Sequence, residues 1–81
     1  MKIVNEKRAT TNEVLLCLTP SEAKELSDTA GYLALHPENH HAHVSSSDYR
    51  TEITVAVYTR ENLHEFSEDL RELLGPELEA D

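Results

Sequence analysis

Positive charge is scarce in this chain. Seven Lys and Arg stand against sixteen Asp and Glu, a formal net charge of −9. Phosphate recognition rests on Lys and Arg, so nucleic acid is not an expected direct ligand. Only two glycines are present, too few for a glycine-rich phosphate loop. A single cysteine, Cys17, rules out an intrachain disulfide, and its apolar neighbours predict an inert core thiol. No apolar run approaches a membrane span, and the N-terminal residues form no apolar signal core. The expectation is a cytoplasmic protein with no membrane contact.

The 81 residues suffice for one domain, 1–81, with a core that is marginal for so short a chain. A homodimer would relieve that. The 38% hydrophobic content is too high for a typical disordered chain and too low for a membrane protein.

The clearest strand is Glu52-Ile53-Thr54-Val55-Ala56-Val57-Tyr58-Thr59. β-Branched and aromatic residues dominate it, and its alternation puts Ile53, Val55 and Val57 on one face. It is expected to be central. Residues 1–12 read as an edge strand followed by a polar stretch, either a hairpin connection or a loose arm. Glu13 to Leu18 is apolar on both faces. That predicts a strand buried on both sides or one that contacts a second subunit.

Thr19-Pro20-Ser21-Glu22 carries the marks of a helix start: an N-cap threonine, proline at the first helical position and a capping-box glutamate. Ala23, Leu26, Ala30 and Leu33 continue as one apolar stripe. Pro37 ends that helix at the latest. His40 to Val44 reads as a strand, with Ser45 to Asp48 as the turn that joins it antiparallel to the central strand. A second helix is expected from an N-cap at Thr59, with Leu63, Phe66, Leu70, Leu73 and Leu74 inward. Gly75-Pro76 is expected to end it, leaving 76–81 as an acidic tail.

The order (β)β-α-β-β-α predicts an α+β protein: a two-layer sandwich of a small, mainly antiparallel sheet with two helices on one face. The expected core is Val14, Leu16, Leu18, Leu26, Leu33, Val44, Ile53, Val55, Val57, Leu63, Phe66, Leu70 and Leu73.

Two features are candidates for function. Four of the five histidines fall in His36 to His43. On a strand, His41 and His43 project to one side, near enough for two nitrogens to share a metal, with Glu38 or Glu52 adding an oxygen. Zinc sites assemble three or four ligands, so no metal and no cofactor is assigned. The alternatives are an exposed polar face or imidazoles that hydrogen-bond an anionic small molecule or a partner. Ser45 to Ser47, Asp48 and the histidines contain no nucleophile elbow, so an enzyme is not expected.

The second feature is acidic. Up to Arg60 there are eight acidic and six basic residues, a net of −2; from Glu61 onward there are eight acidic residues and only Arg71, a net of −7. Glu61, Glu65, Glu68 and Glu72 recur at helical offsets, with Asp69 beside them. Like charges so spaced cost about 0.2–0.5 kcal/mol per pair. A solvated face is one reading; a patch that binds a basic or mixed-charge protein is the other.

The run Glu13 to Ala23, then His41-Ala42-His43-Val44, then Ile53 to Thr59 resembles small bacterial proteins of the immunity protein 32 family of polymorphic toxin systems. The likeness spans residues 13–74. It implies a non-enzymatic protein that neutralises a cognate toxin by binding; no site residue is carried over. Phage-encoded inhibitors of bacterial defence, including anti-CRISPR proteins, are a second class of small acidic binders. The sequence therefore points to an acidic binding inhibitor of immunity or counter-defence type, with a small-ligand or metal-binding oligomer using His41 and His43 as the alternative.

Overall fold

Thr19 and Glu22 start the longest element. The Thr19 hydroxyl accepts from the Glu22 N–H (3.2 Å), and the Glu22 carboxylate accepts from the Thr19 N–H (2.9 Å), a complete capping box. These bonds hold the Glu22 carboxyl below its ordinary range. Helix α1 runs Pro20–Leu35. Gly31 does not end it, and its missing side chain faces open space rather than a packed neighbour. Pro37 then opens a short 3-10 turn, Pro37–Asn39.

The computed structural model describes residues 1–80. It shows an α+β fold with two helices and two small antiparallel sheets, in the order β-β-α-β-β-α. The first sheet pairs β1 (Ile3–Val4) with β2 (Thr10–Thr11). Asn5 builds its connection: the side-chain oxygen accepts from the N–H groups of Lys7 (2.9 Å) and Ala9 (3.0 Å), the self-bonding that suits Asn to turns. Arg8 takes a left-handed φ of 63° there. Residues 1–12 are therefore a hairpin, not a loose arm.

The second sheet pairs β3 (His41–Ser45) with β4 (Glu52–Ala56), Val44 opposite Ile53 and His43 opposite Thr54. The expected turn closes it: Asp48 accepts from the Ser46 hydroxyl (2.6 Å) and the Arg50 N–H (3.0 Å). Helix α1 packs on β3 and, less closely, on β4. Leu33 (1% exposed) on α1 and Val44 (3%) on β3 are buried.

Three expectations are corrected. Glu13–Leu18 forms no strand. The second strand is Thr10–Thr11, because β3 and β4 bond only each other and no edge reaches the apolar run. Val14 (53% exposed) and Leu16 (46%) lie outside the core, Leu18 is half-buried, and Cys17 is exposed rather than buried. Strand β4 has one neighbour, not two, and stops at Ala56. The remaining expected core residues are half-buried, while Leu74, at 6%, joins Leu33 and Val44 as buried.

The C-terminal part departs furthest. Thr59 and Asn62 bond reciprocally, the Asn62 side-chain oxygen accepting from the Thr59 N–H (2.8 Å) and the Thr59 hydroxyl from the Asn62 N–H (3.1 Å). They cap one turn only. A 3-10 turn, Leu63–Glu65, follows, and Phe66 is extended. Helix α2 is Glu68–Ala80, entered at Ser67, whose carbonyl accepts from the Arg71 N–H (2.9 Å). Pro76 sits inside α2 rather than after it. The residue before a proline is barred from helix partly by its Cβ, and Gly75 has none. The expected tail is thus helix over Pro76–Ala80; Asp81 lies outside the described residues. Helix α2 also stands on the opposite side of the sheet from α1, across a cleft described below.

Glu77 gathers the chain's ends. Its carboxylate accepts from the Tyr58 hydroxyl and from the Met1 amino group (3.0 Å), with Lys2 Nζ at 3.4 Å. Foremost the Tyr58 bond, then the amino group, lower its pKa from 4.5 to about 2. Because the folded value is depressed, the stabilisation is complete above pH 4.5 and is lost as pH falls towards about 2. Glu77→Gln should remove that part of the acid-unfolding curve; equal slopes for the two proteins between pH 4.5 and 2 would show that these contacts do not hold in solution.

Asn62 is the one buried polar residue among those described, 6% exposed. Its Nδ2 donates to the carbonyls of Pro37 and Val57, both at 2.8 Å. Asn62→Ala should cost about 2–4 kcal/mol by orphaning these carbonyls and the Thr59 N–H. Chemical denaturation measures it, and a loss below about 1 kcal/mol would leave the latch without energetic weight.

Candidate functional site

His40 turns the chain into β3 with a left-handed φ of 43°, a region that His visits more than most residues. The turn stacks its ring on His41, centroids 4.7 Å apart, with the two Nδ1 atoms 2.8 Å apart. One ring donates and the other accepts. His41 in turn meets His43 edge-on at 5.3 Å. The three imidazoles form a row along the strand. The expected same-side placement of His41 and His43 holds.

His43 Nδ1 lies 2.9 Å from Thr54 Oγ1 and 3.2 Å from Glu52 Oε1. Those contacts fix its ring, while His40 engages His41. Glu52 thus reaches His43 as the sequence suggests. Glu38 does not: it pairs with His36 at 3.2 Å, and its own backbone N–H and then His36 lower its pKa. Among the described residues no group of three or more His, Cys, Asp or Glu is placed to hold a metal ion.

His43 also lines a cleft of about 670 Å³. The sheet face bearing Glu52, Thr54 and Ala56 forms one wall. The β1–β2 hairpin brings Lys2, Val4 and Arg8, and α2 with its approach brings Phe66, Leu70 and Leu74. The volume is in the range of small-molecule sites, and such sites join an apolar lining to a few polar groups. Sequence reading missed Lys2 and Arg8 here. They are close to His43 only because the hairpin folds over the sheet.

The acidic residues are all exposed: Glu61, Glu65, Glu68, Asp69 and Glu72. They do not form the single helical row that their spacing predicts. Glu61 lies in a turn and Glu65 in the 3-10 segment; only Glu68, Asp69 and Glu72 are on α2. The break at Phe66 and Ser67 ends the shared periodicity. Glu65 pairs with His64 at 3.1 Å. The Ser67 hydroxyl, ahead of the Leu70 N–H and Arg8, lowers the Asp69 pKa.

Ser46 and Asp48 are spent on the β3–β4 turn, and no histidine bonds either of them. No helix among the described residues is long and apolar enough to cross a membrane. No family model, curated protein or solved structure matches the chain.

The histidine row generates a direct test. Zinc added to metal-free protein should leave its melting temperature unchanged, because His41 and His43 offer no third ligand. A zinc-dependent rise that disappears in His41→Ala/His43→Ala would instead place a metal on the strand.

Proposed function

We propose that this chain is a small acidic binding inhibitor, cytoplasmic and without enzymatic activity, that neutralises a basic or mixed-charge protein partner by occupying it. The immunity protein 32 resemblance favours a toxin as the target; a phage counter-defence role is the other form of the same activity. The observation that carries the reading is the uneven charge. A net of −7 is confined to the residues from Glu61 onward, and Glu61, Glu65, Glu68, Asp69 and Glu72 all reach solvent. Arg71 lies among them, His64 pairs with Glu65, and Arg8 acts on Asp69. Solubility needs charge but no such concentration, whereas a complementary surface gains in encounter rate and specificity. The working unit of this proposal is a homodimer.

A second reading has its own observation. Lys2, Arg8 and His43 line the cleft together with Glu6 and Glu52, a mixed-charge lining beside apolar side chains that suits a small polar ligand.

The test is capture of the partner from the native host, then association kinetics with Glu65→Lys/Glu68→Lys. The variant should fold as the parent does, bind more slowly, and show a flatter dependence of on-rate on salt. A partner that binds the variant as fast and as tightly as the parent at low salt would remove the acidic residues from the site.

A further inference from the structure

Val14 to Leu18 is the most apolar stretch of the chain, and all of it but the half-buried Leu18 is exposed. Leu15 is 86% exposed, Val14 53% and Leu16 46%. No backbone hydrogen bond joins these five residues to any other described residue. Their N–H and C=O groups are thus open to pairing with another chain, as those of an uncovered strand edge are.

The total surface says how much is left to cover. A folded 9.2 kDa monomer exposes about 4,900 Å² by the usual size scaling. This chain exposes 6386 Å². The radius of gyration, 13.4 Å, likewise exceeds the roughly 11.7 Å expected for its length. The surplus area is more than the roughly 800 Å² that each partner contributes to a standard interface.

Charge and sequence choose the occupant. The acidic excess lies after Glu61, while the run from Val14 to Leu18 has no charge and is flanked by Glu13 and Glu22 alone. A basic partner finds nothing complementary here. Two copies of an acidic chain meet with least repulsion at this place. Paired antiparallel about Leu16, Val14 faces Leu18, Leu15 faces Cys17, and Glu13 faces Thr19, so no like charges oppose and every apolar side chain meets another. Such a contact is isologous and closes at two copies.

We infer that a second copy of this chain pairs antiparallel with Val14–Leu18, with the two-fold axis passing Leu16. The inference rests on the homodimer of the proposed function and specifies where its interface lies. It is independent of the acidic residues.

Light scattering on the full chain should give a dimer, and Leu16→Arg a monomer with an unchanged far-UV circular dichroism spectrum. Mild oxidation of Cys17→Ser/Leu16→Cys should link two copies through residue 16, whereas Cys17→Ser/Leu15→Cys should not link. Leu15→Cys with Cys17 retained should link 15 to 17 across the pair. The crosslinks decide the matter if Leu16→Arg fails to fold. A parent that is monomeric at its highest soluble concentration overturns the homodimer and this interface together. A dimer that survives Leu16→Arg and gives no link at residue 16 keeps the homodimer and overturns the interface.

Discussion

Asn62 ties together the turn after α1, the chain leaving β4 and the start of the C-terminal part. Its amide uses both protons, on the Pro37 and Val57 carbonyls, and its oxygen takes the Thr59 N–H. The first carbonyl belongs to the turn after α1, the second to the chain leaving β4. One side chain, together with the Val57–His40 backbone bond, therefore holds the end of the hairpin to the turn after the first helix. A buried amide with every polar atom satisfied acts as a geometric constraint, because any displacement leaves costly unpaired groups. The Val57 N–H still reaches the His40 carbonyl (2.9 Å), one step beyond the β3–β4 ladder, while its carbonyl is taken by Asn62.

That constraint matters because the core is thin. Leu33, Val44 and Leu74 are the buried apolar side chains, and most other aliphatics are half-exposed. Small domains bury a modest share of their surface and lean on other devices. Here those are polar: the capping box at Thr19 and the Asn5 and Asp48 turns locally, and the Asn62 amide and the Glu77 contacts with Tyr58, Lys2 and the amino group over longer range. The uncovered Val14–Leu18 run is the counterpart. A second copy would add the apolar burial that one chain cannot supply.

The functional surfaces fall on different parts of this frame. The β3–β4 hairpin presents its apolar face to α1 and its histidine face to the cleft. The carboxylates after Glu61 surround α2 and its approach. The apolar run lies before α1. Under the proposed function, charge on one side would meet the target and the apolar run on another would meet a second copy, so the two contacts would not compete.

Local chemistry determined what was legible in the sequence. The α1 start at Thr19-Pro20-Ser21-Glu22, the hairpin from His41 to Ala56, the α+β order and the shared side of His41 and His43 depend on neighbours a few residues apart, and the amino-acid types dictate them. Long-range partners decided the rest. An apolar run such as Val14–Leu18 becomes a strand only if an edge is offered, and β3 and β4 pair with each other alone. The Gly75-Pro76 stop failed because a residue without a Cβ tolerates helix before proline. The carboxylate row broke because Asn62, placed by Pro37 twenty-five residues away, holds the turn that interrupts its period. Lys2 and Arg8 reached His43 only through the fold of the N-terminal hairpin. Spacing along a chain fixes which side chains share an element; tertiary hydrogen bonds fix where the element begins and what it faces.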